Sequence, residues 1–211
     1  MLSDFPIFGG YGKRENLDFD AQDTVNLFLI NDPEGKKQFA LLGTPGLESR
    51  LVFPTQGIMR ALYPFGDSLY AVCGSIVYRI NAALGASPIG TLTTNTTKIS
   101  ITANNGGQLA FSDGVKGYVY TIDTGIFEEI TAPGFPVPPE DIVFLDGFGV
   151  VPTGESTKFK ISALNDFKVW DALDFALIQA YPGQDVGVGI VNRRLYFFKV
   201  DSTEVWYNAG Q

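Results

Sequence analysis

Two adjacent acidic pairs, Glu128–Glu129 and Glu140–Asp141, have the residue types that could do chemistry. Two carboxyl groups flanking a glycosidic bond can hydrolyse it, one as acid and the other as base or nucleophile. Neighbouring residues of a strand point to opposite faces, so neither pair converges by itself. Such charges ordinarily line exposed strand edges and discourage aggregation. Trp170, Trp206 and Tyr207 carry flat rings that can stack on sugar, and equally the bulk that packs sheets together. No histidine is present, which removes Ser-His and Cys-His catalysis and imidazole metal sites. The single cysteine, Cys73, lies in the apolar run "LYAVCG" without a base to activate it. It reads as a buried, inert thiol.

Two further stretches fall short of the motifs they approach. "GGYGKR" (9–14) is a partial phosphate loop, but Ile7 stands where the first glycine belongs and Arg14 replaces the Ser or Thr. "DFDAQD" (18–23) places Asp18 and Asp20 on one face of an extended chain. It lacks the glycine and distal glutamate of a calcium loop. No catalytic residue, no metal and no cofactor is therefore expected.

The elements that must position these residues are strands. The chain has 211 residues, 45% of them hydrophobic, enough for a sizeable core. The 24 glycines, 12 prolines, 17 phenylalanines and 9 tyrosines favour short strands with frequent turns. A net charge of −8 repels phosphate and argues against a protein that coats nucleic acid. The tight basic stretches "GKRE" (12–15) and "NRR" (192–194) are short and read as solvated surface. The opening "MLSDFPIFGG" has Asp4 and no basic region, so it does not read as a secretory signal. No apolar run approaches the ~20 residues that span a bilayer, and no membrane partner is expected.

Self-similarity organises the chain. "GDSLYAVCGSIVYRIN" (66–81) and "GGQLAFSDGVKGYVYTID" (106–123) each read as a turn, a strand, a second turn and a second strand. "LDGFGVVPTGESTKFKIS" (145–162) and "NRRLYFFKVDSTEVWYN" (192–208) repeat the scheme. The first strands anchor at Leu69, Leu109, Phe148 and Leu195, spaced by 40, 39 and 47 residues. A short strand precedes each hairpin: "RALYPF", "KISITA", "DIVFLD" and "VGVGIV". A fourth follows most of them: "SPIGTL", "IFEEIT" and the stretch around Trp170. Four strands in about 40–45 residues is the grammar of a β-propeller blade. The expected fold is all-β, a propeller of four-stranded antiparallel blades; the alternative is a β-sandwich. "DALDFALIQA" (171–180) reads as one helical turn or a bulged outer strand.

Residues 1–50 fit no blade. "FPIFGGYGKRENLDFDAQDTVNLFLINDPEGKKQFALLGTPGL", followed by "GIMRALYPFGDSLYAVCGSIVYRI", resembles the packaged-DNA stabilisation or tail-hub proteins of short-tailed phages. The likeness lies in the order of a Gly-rich aromatic opening, a "TVNLF" strand, a "GTPGL" turn and a first blade hairpin, over about residues 5–80. It implies a structural protein of the virion tail, assembled in the host bacterial cytoplasm. This protein would join the head-to-tail connector to the distal tail and help to retain packaged DNA. It further implies six copies around the tail axis, in contact with a portal-side adaptor, a tail fibre or spike, and a central needle. DNA enters only as passing or plugged cargo. Members of that family are considerably longer, so the chain is expected to be part of a longer propeller. The alternative function is a carbohydrate-binding or carbohydrate-processing propeller.

The resulting division is an arm and ring-closing strand in residues 1–50 and blades in residues 51–211. "TVNLFLI" (24–30) has strand character and is expected to pair with a blade and hold the ring shut. In "FALLGTPGL", Pro45 and Gly46 suit a type II turn. "FPIFGGYGKR" is too glycine-rich for a strand interior. It is expected to lie as an extended arm on a neighbouring subunit or adaptor. Phe5, Phe8 and Tyr11 are its anchors, with Arg14 at the rim.

Overall fold

The computed structural model describes residues 27–31, 39–46, 48–55, 57–153, 158–178 and 185–208. Phe5, Phe8, Tyr11 and Arg14 lie outside the described residues, as do "GGYGKR" and "DFDAQD". The chain divides into two compact units, Met1–Arg50 and Leu51–Gln211.

In the first unit, β1 (Leu27–Asn31) and β2 (Phe39–Gly43) form an antiparallel pair in which Leu27 faces Gly43 and Asn31 faces Phe39. Sequence reading pairs the first of these strands with a blade; the ladder described for it here is the one to β2. The type II turn expected at Pro45–Gly46 is not formed. Gly46 is not among the glycines with positive φ, which such a turn requires at its third position. Pro-Gly supplies the freedom to turn there, and the chain does not use it.

The second unit is a run of four antiparallel sheets. The first blade is β3 (Met59–Phe65), β4 (Ser68–Cys73), β5 (Ile76–Ile80) and β6 (Ala86–Thr91). The second is β7 (Ser100–Ala103), β8 (Gln108–Ser112), β9 (Gly117–Thr121) and β10 (Ile126–Glu129). The third is β11 (Val143–Leu145), β12 (Phe148–Thr153), β13 (Lys158–Ala163) and β14 (Asp166–Leu177). The fourth has three described strands, β15 (Asp185–Val191), β16 (Arg194–Lys199) and β17 (Thr203–Tyr207). Strands follow one another in chain order across each sheet, and the first strands of successive blades lie side by side. This is the arrangement of a propeller, not of a two-layer sandwich. Leu69, Leu109, Phe148 and Leu195 all fall in the second strand of their blade.

The segment 171–177 belongs to β14, a bulged outer strand of 12 residues with two register shifts against β13. Other outer strands have 4–6 residues, so this excess length accounts for much of the 47-residue spacing before Leu195. Tight hairpin turns join strands one and two. At Asp146–Gly147 and Asn192–Arg193 both central residues have positive φ, which matches the right-handed twist of the flanking strands.

Burial follows from stacking blade on blade. In β4 the hydrophobic alternation does not become alternating exposure: Tyr70, Ala71, Val72 and Cys73 are all buried, because both faces of the strand are covered. Tyr70, Val72 and Val77 of the first blade pack with Leu109, Phe111 and Tyr120 of the second. Ala110 and Val119 of the second pack with Val151, Phe167 and Trp170 of the third. Val150 and Phe159 of the third pack with Leu195 and Phe197 of the fourth. Two glycines permit close approaches across this stack. A Cβ on Gly90 would stand 2.3 Å from the Phe127 ring, and one on Gly117 would stand 2.2 Å from the Phe135 ring.

Candidate functional site

Glu128 and Glu129 are neighbours on β10 and so point to opposite faces, whereas Glu140 and Asp141 precede β11 and lie outside any strand. Glu129 pairs with Lys116 at 2.7 Å, a bond that raises the lysine's pKa. Glu128 pairs with Lys168 of the third blade. Asp141 is buried, and its carboxylate accepts from Lys98 Nζ at 2.8 Å. Glu128, Glu129 and Asp141 are thus committed to three lysines that come from different strands or connections.

The aromatic candidates separate. Trp170 is buried, edge-to-face with Phe135 at 5.0 Å, and its Nε1–H donates to the Phe167 carbonyl at 2.6 Å. It is a packing residue. Trp206 is half-buried against Phe159, while Tyr207 is exposed. Cys73 is buried, its thiol directed at the carbonyl oxygens of Thr55 and Gly57. In "NRR", Arg193 pairs with Asp146 at 2.9 Å and ties the fourth blade to the third. Among the described residues no cluster of metal-ligating side chains occurs, and no helix is long and apolar enough to cross a membrane.

Polar clamps between blades emerge that sequence reading did not single out. Arg60 starts the first blade. Its guanidinium donates to the carbonyls of Gly74, Thr94 and Thr97 and to the hydroxyls of Thr94 and Thr97, at 2.7–2.9 Å. Burial lowers its pKa, and nearby Asp113 opposes that shift. Asp113 is itself fully buried. One of its oxygens accepts from the amides of Thr93 and Thr94, the other from those of Val115 and Lys116. Between the second and third blades, Asn104 Nδ2 donates to the Asn165 carbonyl and Gln108 Nε2 to Asp166. Gln108 also accepts from the Phe167 amide. These bonds fix the angle at which successive sheets meet.

A cavity of about 370 Å³ lies between the third and fourth blades, walled by residues that include Val150, Phe159, Ile161, Leu195, Trp206 and Tyr207. It is apolar and partly open. Aromatic side chains of outer strands pack between the earlier blades. Phe127 of β10 lies over Gly90 and stacks on Tyr118; Trp170 of β14 meets Phe135.

The sequence matches the Phage_stabilise family, described as "Bacteriophage P22 Gp10, beta-propeller", over residues 3–211. No curated protein matches it. Among solved structures, the computationally designed Ika4 protein is similar at 13% identity and a TM-score of 0.53, over 77% of this chain and 99% of that one. A catalytically inactive virginiamycin B lyase from Staphylococcus aureus, solved with quinupristin, is similar at 15% identity and 0.51, over 85% of this chain and 58% of the lyase. BamB from Moraxella catarrhalis is similar at 15% identity and 0.52, over 70% of this chain and 42% of BamB. The chain thus spans about half the length of the last two. At these identities the likeness shows the fold alone.

Proposed function

The chain belongs to the Phage_stabilise family of P22 Gp10 β-propellers, and from that premise we propose that it is a tail-hub protein that joins the head-to-tail connector to the distal tail and helps to retain packaged DNA. The observation that carries this reading is the family match over residues 3–211, which covers leader and blades alike. The fold suits the task. Rigid sheets locked by Arg60, Asp113 and Gln108 provide shape, and Glu128 and Glu129 are each engaged with a lysine. An acidic protein repels DNA, which suits a conduit better than a binder. In this reading six copies surround the tail axis and meet a portal-side adaptor, a fibre or spike, and a needle. The particle is the place to test it. Phage deprived of this protein should fill heads and then lose DNA, seen as empty capsids by electron microscopy and as nuclease-sensitive genomes. Full, infectious particles lacking the protein would overturn the proposal.

The leader is the proposed assembly element, with Phe5, Phe8 and Tyr11 as anchors and Arg14 at the rim. Fully burying one phenylalanine is worth ~1.5–3 kcal/mol, so three aromatic anchors make a substantial contact. Deleting residues 1–14 should leave the melting midpoint unchanged and reduce incorporation into particles at least ~100-fold, since two such anchors exceed ~2.7 kcal/mol. Normal incorporation of the shortened protein would remove the arm from the assembly. Loss of folding would make it core.

A further inference from the structure

We propose that Asn105 is a self-modifying site, converting through a succinimide to isoaspartate, and that docking of the third blade on the second holds it dormant. Asn105–Gly106 is the one Asn-Gly pair of the chain. Asparagine before glycine is the pair most prone to this reaction, because glycine has no Cβ to shield its amide nitrogen or restrict the backbone. The steps balance without a cofactor. The Gly106 amide nitrogen loses its proton to water and attacks Cγ of Asn105. A five-membered ring closes, and the side-chain nitrogen takes up a proton and leaves as ammonia. Water then opens the ring at either carbonyl. One product is aspartate; the other is isoaspartate, whose main chain runs through the former side-chain carbons. Asn105 is exposed in the turn between β7 and β8, so water reaches it.

The nucleophile is locked by its neighbour. Asn104 is buried, and its Oδ1 accepts from the amide of Gly106 at 3.0 Å and from that of Gln108 at 2.9 Å. This Asx turn holds the proton that must leave and fixes the peptide plane that must rotate. Asn104 is held in turn from across the blade boundary. Its Nδ2 donates to the Asn165 carbonyl and to Gln108 Oε1, both at 2.9 Å. Gln108 is held there too, donating to Asp166 Oδ1 at 3.0 Å and accepting from the Phe167 amide at 2.8 Å. The reactive amide is therefore pinned, through two side chains, by the start of the third blade's outer strand and the turn before it. Separation of the blades at this end frees it. The product does not fit back into the lock. A Cβ on Gly106 would already stand 3.0 Å from the Asn165 carbonyl oxygen, so the turn has no slack on that side. Isoaspartate adds one atom to the main chain and one negative charge. Both push the turn off the third blade and loosen the joint that guarded it.

This inference does not rest on the tail-hub role. The full chain is aged at mildly alkaline pH, digested with trypsin and followed by mass spectrometry of residues 99–116, "ISITANNGGQLAFSDGVK". Isoaspartate is counted by methyltransferase labelling. A synthetic peptide of the same residues is the unlocked reference. The two hydrogen bonds that Asn104 Oδ1 accepts are together worth at least ~10-fold in an opening equilibrium. The folded chain should therefore convert at least ~10-fold more slowly than the peptide, and Asn104→Ala at least ~10-fold faster than the natural chain. Asp166→Ala removes one bond of the clamp and should speed conversion ~2–10-fold with unchanged circular dichroism. It carries the test if Asn104→Ala does not fold. The melting midpoint should fall as isoaspartate accumulates. Asn105→Gln, whose longer side chain does not close the five-membered ring, should show neither change. The proposal is overturned by equal rates in chain and peptide, by an Asp166→Ala rate equal to the natural one, or by an unchanged midpoint in the converted chain.

Discussion

Replacing Asp113 with alanine lowers the melting midpoint by about 10 °C: a cost of ~3–5 kcal/mol at ~2–4 °C per kcal/mol for a domain of this size. The carboxylate is fully buried, and both of its oxygens accept from two backbone amides. Truncation leaves the amides of Thr93, Thr94, Val115 and Lys116 without their acceptor. A buried donor left unpaired costs ~1–3 kcal/mol, less where water can enter. Asp113→Asn keeps one good acceptor and sets an NH2 group against the other amide pair, so its cost should be intermediate. The effect also reaches Arg60, whose charge Asp113 supports and whose guanidinium grips the same loop through Thr94 and Thr97. Asp113→Ala combined with Arg60→Met should therefore cost less than the sum of the two, because each substitution frees the loop that the other holds. Calorimetric melts of the four proteins measure this. A shift under about 2 °C for Asp113→Ala would mean that the loop finds other acceptors.

Phe167→Ala is the second large effect, about 3–5 kcal/mol from a lost ring and the cavity left behind. Phe167 is fully buried, edge-to-face with Phe144 at 5.7 Å, and its carbonyl holds the Trp170 indole. Its ring also lies over Gly149, where an added Cβ would stand 2.8 Å from two ring carbons. This contact predicts a change of sign. Gly149→Ala should destabilise the natural protein, because the ring and Ser162 Oγ, at 3.2 Å, crowd the new methyl. In the Phe167→Ala background the same methyl enters empty space and should recover stability. Urea unfolding of the two single variants and the double variant tests the reversal, and strictly additive costs would contradict it.

The blades were legible because their signals are local. Leu69, Leu109, Phe148 and Leu195 each follow a turn and open a period-two strand, and a pairing built from neighbouring segments needs no distant information. The leader was harder. "TVNLFLI" reads as a strand, but a strand's partner is a tertiary fact, and Phe39–Gly43 pairs with it. Pro45–Gly46 permits a tight turn without compelling one. Arg60 and Asp113 were invisible for a different reason. Nothing in "MRAL" or "SDGV" announces a clamp, because the loop at Thr93–Thr97 that both residues hold lies far from each along the chain. Trp206 was noticed for its ring, while the cavity beside it is a tertiary fact, walled by residues of two sheets.

The glycines beneath Phe127 and Phe135 have a consequence for the chain's order. Repeats as alike as these could in principle stack in the wrong sequence, each offering an apolar face to any other. The hollow at Gly90 accepts the ring that the second repeat brings to it, and the hollow at Gly117 accepts the ring on the connection that follows. A repeat arriving out of turn would meet a dent without a filler or a ring without a dent. The first mismatch leaves a void and the second a collision, and both are costly in a close-packed interior. These two keyed contacts give the stack a reading direction, so that look-alike modules assemble in one permutation.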